Sequence, residues 1–133
     1  MQRTQLRYGL KKEVSLPFDE AYERVRGALG DEGFGVLTEI DVKETLKNKL
    51  DVEFRPYKIL GACNPPLAYK ALTTDPDIGL LLPCNVVVQE TESGVRVSIV
   101  KPKAMFSVVG DPRLDEVVKD VDSRMQKILD ALS

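Results

Sequence analysis

The chain has 133 residues, of which 43% are hydrophobic and 30% are charged, and its formal net charge is −2. These values are typical of one soluble globular domain over residues 1–133, long enough to bury a core without disulfide bonds. The slightly acidic balance argues against a nucleic-acid binder with a broad basic surface, and no apolar run approaches the roughly 18 residues that a membrane helix needs.

The N-terminal part of the chain alternates apolar and polar residues. Tyr8 and Leu10 share one phase and Val14 resumes it, which predicts a half-buried strand over about residues 5–15. Lys12 interrupts the inward phase, so we expect a β-bulge or a sheet edge there. Because this strand pattern begins so early, there is no apolar signal-peptide core, and we expect a cytoplasmic protein.

A helix is predicted to begin at Pro17, where the missing N–H of proline costs nothing. It carries an apolar stripe with spacings of three and four: Phe18, Ala21, Tyr22, Val25, Ala28 and Leu29. Gly30 and Gly33 provide a C-terminal stop.

A second strand and a short helix are predicted next. Phe34, Val36, Ile40 and Val42 alternate as a strand. Asp41 is placed to cap a helix over about residues 42–50, whose apolar stripe is narrow, so that only a thin part of the core can lie under it.

The second half of the chain contains the remaining strands and helices. Residues 54–62 are predicted to form a strand, and residues 86–88 and 95–100 form two more, joined by a hairpin. Asn64 is a suitable N-cap and Pro65 a suitable first residue for a helix to about residue 73. The apolar runs 78–82 and 104–109 have ambiguous periods. Asp111 is predicted to cap a long last helix, with apolar residues at helical spacing for five turns.

The predicted order is β-α-β-α-β-α-β-β-α, which indicates an α+β fold. We expect a twisted, mostly antiparallel sheet of about five strands, with helices packed on one face. The last helix supplies most of that cover.

Both cysteines fall at predicted strand ends, Cys63 beside Asn64 and Cys84 beside Asn85. An Asn amide both donates and accepts hydrogen bonds, so these four residues form a candidate ligand or redox site. The chain has no His, which excludes Ser-His-Asp and Cys-His catalysis within it and removes the commonest metal ligand. Two cysteines cannot complete a four-thiolate zinc site in one subunit.

Three interpretations of the cysteines stay open. The first is a small-ligand or soft-metal site, because thiolates suit Cu(I) or zinc. A dimer would bring four cysteine thiols together. The start of the helix after Cys63 would stabilise a thiolate there. The second is a thiol-based redox protein or enzyme with Cys63 as nucleophile and Cys84 as resolving thiol, which the lack of His and of Cys-x-x-Cys weakens. The third is a structural or interaction protein with inert core cysteines, in which Asn64 is a plain helix cap.

The segments Gly61-Ala62-Cys63-Asn64-Pro65 and Leu82-Pro83-Cys84-Asn85-Val86 resemble those of domain-of-unknown-function family number 302, small uncharacterised bacterial and archaeal proteins. The resemblance covers nearly the whole chain. It implies a small α+β fold with a helix-covered antiparallel sheet, similar to the TATA-box-binding-protein-like group, and it implies a homodimer. It implies no established activity, and the likeness to a DNA-binding fold is one of shape alone.

These observations predict a small cytoplasmic protein that is a non-enzymatic, homodimeric binding module. Its candidate small-ligand or soft-metal site lies around Cys63 and Cys84. We predict no cofactor, no nucleic-acid partner and no membrane partner. The chain has few Asn and Gln residues beside many prolines and charges, which is a mild thermophile-like bias.

Overall fold

A computed structural model describes residues 3–132 of the chain. Residues 1, 2 and 133, which belong to the predicted domain over residues 1–133, lie outside that range. The strands are β1 (Arg3–Gln5), β2 (Gly9–Val14), β3 (Gly35–Asp41), β4 (Tyr57–Cys63), β5 (Cys84–Thr91) and β6 (Gly94–Val100). The α-helices are α1 (Phe18–Asp31), α2 (Val42–Leu50), α3 (Pro65–Thr74), α4 (Pro102–Phe106) and α5 (Asp115–Asp130). Short 3-10 helices span Pro76–Leu81 and Pro112–Leu114.

The strands form one sheet in the order β1-β2-β6-β5-β4-β3, and every neighbouring pair runs antiparallel. The predicted α+β class with an antiparallel sheet is confirmed. The sheet has six strands instead of about five, because a turn divides the predicted strand over residues 5–15. In this turn the Leu6 amide donates to the Gly9 carbonyl at 2.6 Å, and β1 and β2 pair across it.

The expectation of a bulge or a sheet edge at Lys12 is wrong. β2 lies between β1 and β6, and its pairing with β6 is continuous along the strand. Lys12 shares the helix-covered face with Leu10 and Val14, and all three are buried. The buried ammonium is satisfied because Nζ donates to the Leu129 carbonyl at 3.0 Å, in the last turn of α5. A cation is favoured at that end of a helix dipole.

β3 departs from the predicted alternation because it contains a β-bulge. Its pairing with β4 shifts register between Val36 and Thr38, which leaves Leu37 as the extra residue. Val36 packs against the core, whereas Ile40, beyond the bulge, lies on the other face and is exposed. The expectation that Phe34, Val36 and Ile40 share one face is therefore wrong for Ile40.

One face of the sheet carries the hydrophobic core, and α1, α3 and α5 cover it. Leu10, Ile99, Val86 and Leu60 stand opposite one another across four adjacent strands, and all are buried. The helices contribute the residues Ala21, Val25, Leu29, Leu67, Val121, Met125, Ile128 and Leu129. Burial of each large apolar side chain stabilises the fold by roughly 1.5–3 kcal/mol.

The helix limits largely agree with the predictions. The Asp41 carboxylate caps α2 by accepting from the Glu44 amide at 3.0 Å, and no side chain of α2 is buried. The two ambiguous apolar runs form the 3-10 helix Pro76–Leu81 and part of α4, and Asp111 caps a 3-10 turn that continues directly into α5. Among the helices described between residues 3 and 132, none is long and apolar enough to cross a bilayer.

Candidate functional site

Cys63 and Cys84 lie on neighbouring strands at one end of the sheet, which we call the cysteine rim. Cys63 is the last residue of β4 and Cys84 the first of β5, and the register pairs Ala62 directly with Cys84. Cys63 is therefore one position out of register with Cys84. Strand alternation alone would direct the two side chains to opposite faces, but Cys63 ends its strand and lines the same small cavity as Cys84, and its thiol contributes to the raised pKa of Cys84. Both cysteines are free.

Cys84 belongs to the hydrophobic core. Its side chain points to the helix-covered face, and the residue is 5% exposed. Burial, with a smaller contribution from the neighbouring Cys63 thiol, raises the pKa of Cys84 to about 11. The thiol is therefore protonated at neutral pH, and a protonated thiol is a poor nucleophile and a poor metal ligand.

Cys63 is half-buried at the rim, immediately before the start of α3. It is the more accessible of the two thiols. Within residues 3–132 there is no group of three or more Cys, Asp or Glu side chains that could hold a metal ion.

Asn64 is a buried helix cap with both ends of its amide engaged. Its Oδ1 accepts from the Leu67 amide at 3.3 Å, which confirms the predicted N-cap of α3. Its Nδ2 donates to the Glu32 carbonyl at 3.4 Å, just beyond the end of α1. Asn64 therefore joins the end of one helix to the start of another.

The Glu32 carbonyl is shared with a third helix. Arg124 on α5 donates to it through Nη1 at 2.9 Å, and the hydrogen bond from Arg124 to Asp120 raises the pKa of the guanidinium. Gly33 has φ +82°, and a Cβ there would lie 2.9 Å from Asn64 Nδ2. Glu32, Gly33, Asn64 and Arg124 thus form what we call the Glu32 junction, which ties α1, α3 and α5 together behind the cysteine rim.

The uncovered face at the rim is closely packed around Gly61. Asn85 is exposed and stands opposite Gly61 on the neighbouring strand. A Cβ at Gly61 would lie 2.7 Å from the Pro83 ring and would collide with the Thr38 hydroxyl. Gly61 therefore allows the bulged part of β3 and the residue before β5 to close over the sheet end.

A small apolar cavity lies beneath the rim on the helix-covered side. Ala62, Cys63 and Cys84 line it from the sheet, and residues such as Leu67, Phe106 and Val121 line it from the helices. Its volume is about 30 Å³, which is about the space of one water molecule, whereas pockets for drug-sized ligands are roughly 300–1,000 Å³. In this conformation the cavity accommodates only a water-sized occupant.

The sequence placed the four candidate residues near one another, and the structure brings Cys63, Asn64, Cys84 and Asn85 to one rim. It does not bring them to one surface, because Cys84 and Asn64 are buried while Asn85 is exposed. Sequence reasoning missed Arg124. The available signal was its position, three residues after Val121 on the apolar stripe of the last helix, where an apolar residue is expected.

Both the sequence and the fold are similar to known proteins. The family model described as "Domain of unknown function DUF302" matches residues 10–132. A solved structure, the crystal structure of uncharacterized conserved protein DUF302 from Bacillus stearothermophilus, is similar to this chain with a TM-score of 0.88 and 32% sequence identity. The match covers 95% of this chain and 98% of that chain. No curated protein matches the chain significantly.

Proposed function

The chain belongs to the DUF302 family, and on that premise we propose that it is a small cytoplasmic binding module that acts as a homodimer without catalysis. In this proposal the cysteine rim is a structural joint between the sheet and its helices. The family resemblance supports the homodimer, and two free thiols suit a reducing compartment.

The observation that supports a role without catalysis is the burial of the polar and nucleophilic groups at the rim. Cys84 has its pKa raised to about 11, whereas thiol chemistry near neutral pH needs a thiolate. The Asn64 amide is engaged at both ends, so it is already used in holding α1 and α3 together. A resolving role for Cys84 would also need its thiolate, and burial in the core keeps that thiol protonated at neutral pH.

Mild peroxide treatment of the folded protein tests the structural role. We expect mass spectrometry to detect no Cys63–Cys84 disulfide while the fold is intact, and to detect one after denaturation. Substitutions Cys63→Ser and Cys84→Ala are expected to change the free energy of unfolding and to leave the oligomeric state unchanged. A disulfide that forms reversibly in the folded protein would instead support the redox alternative.

A soft-metal or small-ligand site at Cys63 is the second candidate function. The half-buried, accessible position of the Cys63 thiol favours it, because thiolates suit Cu(I) and zinc. Additional ligands would come from a second copy of the chain. Equimolar zinc added to the reduced protein, followed by dialysis, tests it: retention by the wild type and loss in Cys63→Ser supports this site, and no retention by the wild type rejects it.

A further inference from the structure

Helix α3 is apolar on both its inner and its outer side. Leu67 and Ala71 face the core and are buried. Tyr69 and Leu72, one turn apart on the opposite side, are 71% and 40% exposed. The expectation that Leu72 points inward is therefore wrong. Tyr69 and Leu72 have no cover among the described residues 3–132, although Lys70 and Thr73 beside them are polar and exposed. An apolar helix face is normally covered.

The 3-10 helix that follows α3 extends the same apolar surface. Leu80 is 89% exposed, the highest value among the exposed large hydrophobic residues of the described chain. The residue before it, Gly79, packs against Leu72, since a Cβ on Gly79 would lie 3.9 Å from Leu72 Cδ2. Pro65 and Pro66, at the start of α3, are exposed as well. We call Pro65, Pro66, Tyr69, Leu72 and Leu80 the α3 outer face.

The α3 outer face is large and nearly uncharged. Its five residues carry no charge, and from Leu60 to Leu80 the charged residues in the sequence are Lys70, Asp75 and Asp77. The exposed parts of the five side chains amount to an area on the order of 500 Å², similar to the largest apolar patch on a typical monomer. One partner of a stable complex buries about 800 Å², so this patch would form the apolar centre of such an interface.

We propose that a second copy of this chain covers the α3 outer face, so that the two α3 helices pack against each other about a two-fold axis. This inference rests on the proposed homodimer and assigns its interface. In a two-fold contact the same patch meets itself, and a patch without a cluster of like charges can do so without repulsion. Homodimer interfaces are also more apolar than those between different proteins.

The charges at the ends of α3 fit an antiparallel arrangement of the two helices. Asp75 and Asp77 follow the C-terminal end of α3, and no acidic residue lies in its first turn. Antiparallel packing places these carboxylates beside the N-terminal end of the partner helix, where the helix dipole favours negative charge.

The β3 edge of the sheet offers a poorer route to self-association than the α3 outer face. β3 is the edge strand next to β4, but its bulge at Leu37 interrupts the ladder of free backbone groups, and it carries the charged residues Glu39 and Asp41. Bulges and charges on edge strands oppose edge-to-edge pairing. Leu37 is 67% exposed, which makes it a matched control for Leu80.

Sedimentation equilibrium of the wild type, Leu80→Glu and Leu37→Glu tests the proposal, with circular dichroism to establish that each variant is folded. We expect the wild type to be a dimer. In Leu80→Glu the dissociation constant should rise at least about tenfold, because a charge replaces a central apolar contact. In Leu37→Glu the dissociation constant should change within about twofold. Tyr69→Ser is a second, milder variant that replaces Leu80→Glu in this test if Leu80→Glu does not fold. It is also expected to weaken the dimer.

Three outcomes overturn the proposal in distinguishable ways. A wild type that stays monomeric at the highest attainable concentration overturns the homodimer itself. A wild-type dimer that Leu80→Glu and Tyr69→Ser leave intact overturns the α3 interface alone. Dissociation by Leu37→Glu and not by Leu80→Glu moves the interface to β3. Hydrogen exchange provides an independent readout, because amides in residues 67–74 should exchange more slowly at high protein concentration than at low.

Discussion

The Cys84 thiol should make the stability of the protein depend on pH in the alkaline range. Burial raises its pKa from an ordinary 9.0 to about 11, so the folded state retains a proton that the unfolded state releases. The resulting stabilisation is complete below about pH 9 and is lost as the pH rises through about 11. It amounts to about 2–3 kcal/mol, since each pKa unit corresponds to about 1.4 kcal/mol.

Urea unfolding of the wild type and of Cys84→Ala at several pH values measures this contribution. The difference in unfolding free energy between the two proteins should shrink between about pH 9 and pH 11, because the variant lacks the titrating thiol. Lysine and tyrosine residues titrate in the same range in both proteins and largely cancel in the difference. A difference that stays constant across this range would contradict the assigned burial of Cys84.

The two asparagines at the cysteine rim should respond very differently to substitution. Asn64→Ala removes the cap of α3 and the hydrogen bond to the Glu32 carbonyl, so we expect a loss of about 1–2 kcal/mol in unfolding free energy. Asn85→Ala is the matched control, because Asn85 is exposed, and its effect should stay within about 0.5 kcal/mol. Equal effects of the two substitutions, measured by urea unfolding, would rule out the structural role of Asn64.

Among the elements, helix caps were predictable and the β-bulge was not. Asp41 and Asn64 cap their helices through contacts with residues three positions ahead, so the signal is contained in a short piece of sequence. The bulge at Leu37 depends on how β3 meets Gly61 and Pro83, which are far away in the sequence. Alternation alone therefore assigned Ile40 to the wrong face.

Contacts between distant parts of the chain also explain why the short helical elements could not be predicted from local sequence patterns. The 3-10 helix Pro76–Leu81 has both apolar and exposed positions because it lies over a second small core made by Ala71, Ile78, Phe106 and Leu114. Those contacts join α3, α4 and the start of α5, and no local period encodes them. Similarly, Lys12 looked like an interruption because its partner is a backbone carbonyl on a remote helix.

Gly61 should be essential to the way β3 and β5 close over the sheet end. Substitution Gly61→Ala places a Cβ 2.7 Å from the Pro83 ring and against the Thr38 hydroxyl, so we expect a loss of about 1–3 kcal/mol from overpacking. Gly35→Ala is the control, because a Cβ at that position meets no atom within 4 Å. Thermal unfolding of both variants compares them, and a Gly61→Ala protein as stable as the control would contradict this packing.

For the whole molecule, self-association should couple stability to protein concentration. A dimer that dissociates on unfolding gains stability by mass action, and a tenfold rise in protein concentration is worth about 1.4 kcal/mol per dimer. We therefore expect the unfolding temperature of the wild type to rise with concentration and that of Leu80→Glu to stay nearly constant over the same range. A wild-type unfolding temperature that is independent of concentration would contradict a dimer held together in this way.

The hydrogen bond between Lys12 and the Leu129 carbonyl also sets an order of events during protein synthesis. The two residues are 117 positions apart, so β2 leaves the ribosome long before its partner is made. Until α5 has been synthesised, the Lys12 ammonium has no carbonyl at the end of that helix to accept its hydrogen bond. The ammonium must therefore stay hydrated, and this face of β2 stays exposed to water. We therefore expect this side of the fold to close only after most of the chain has been translated.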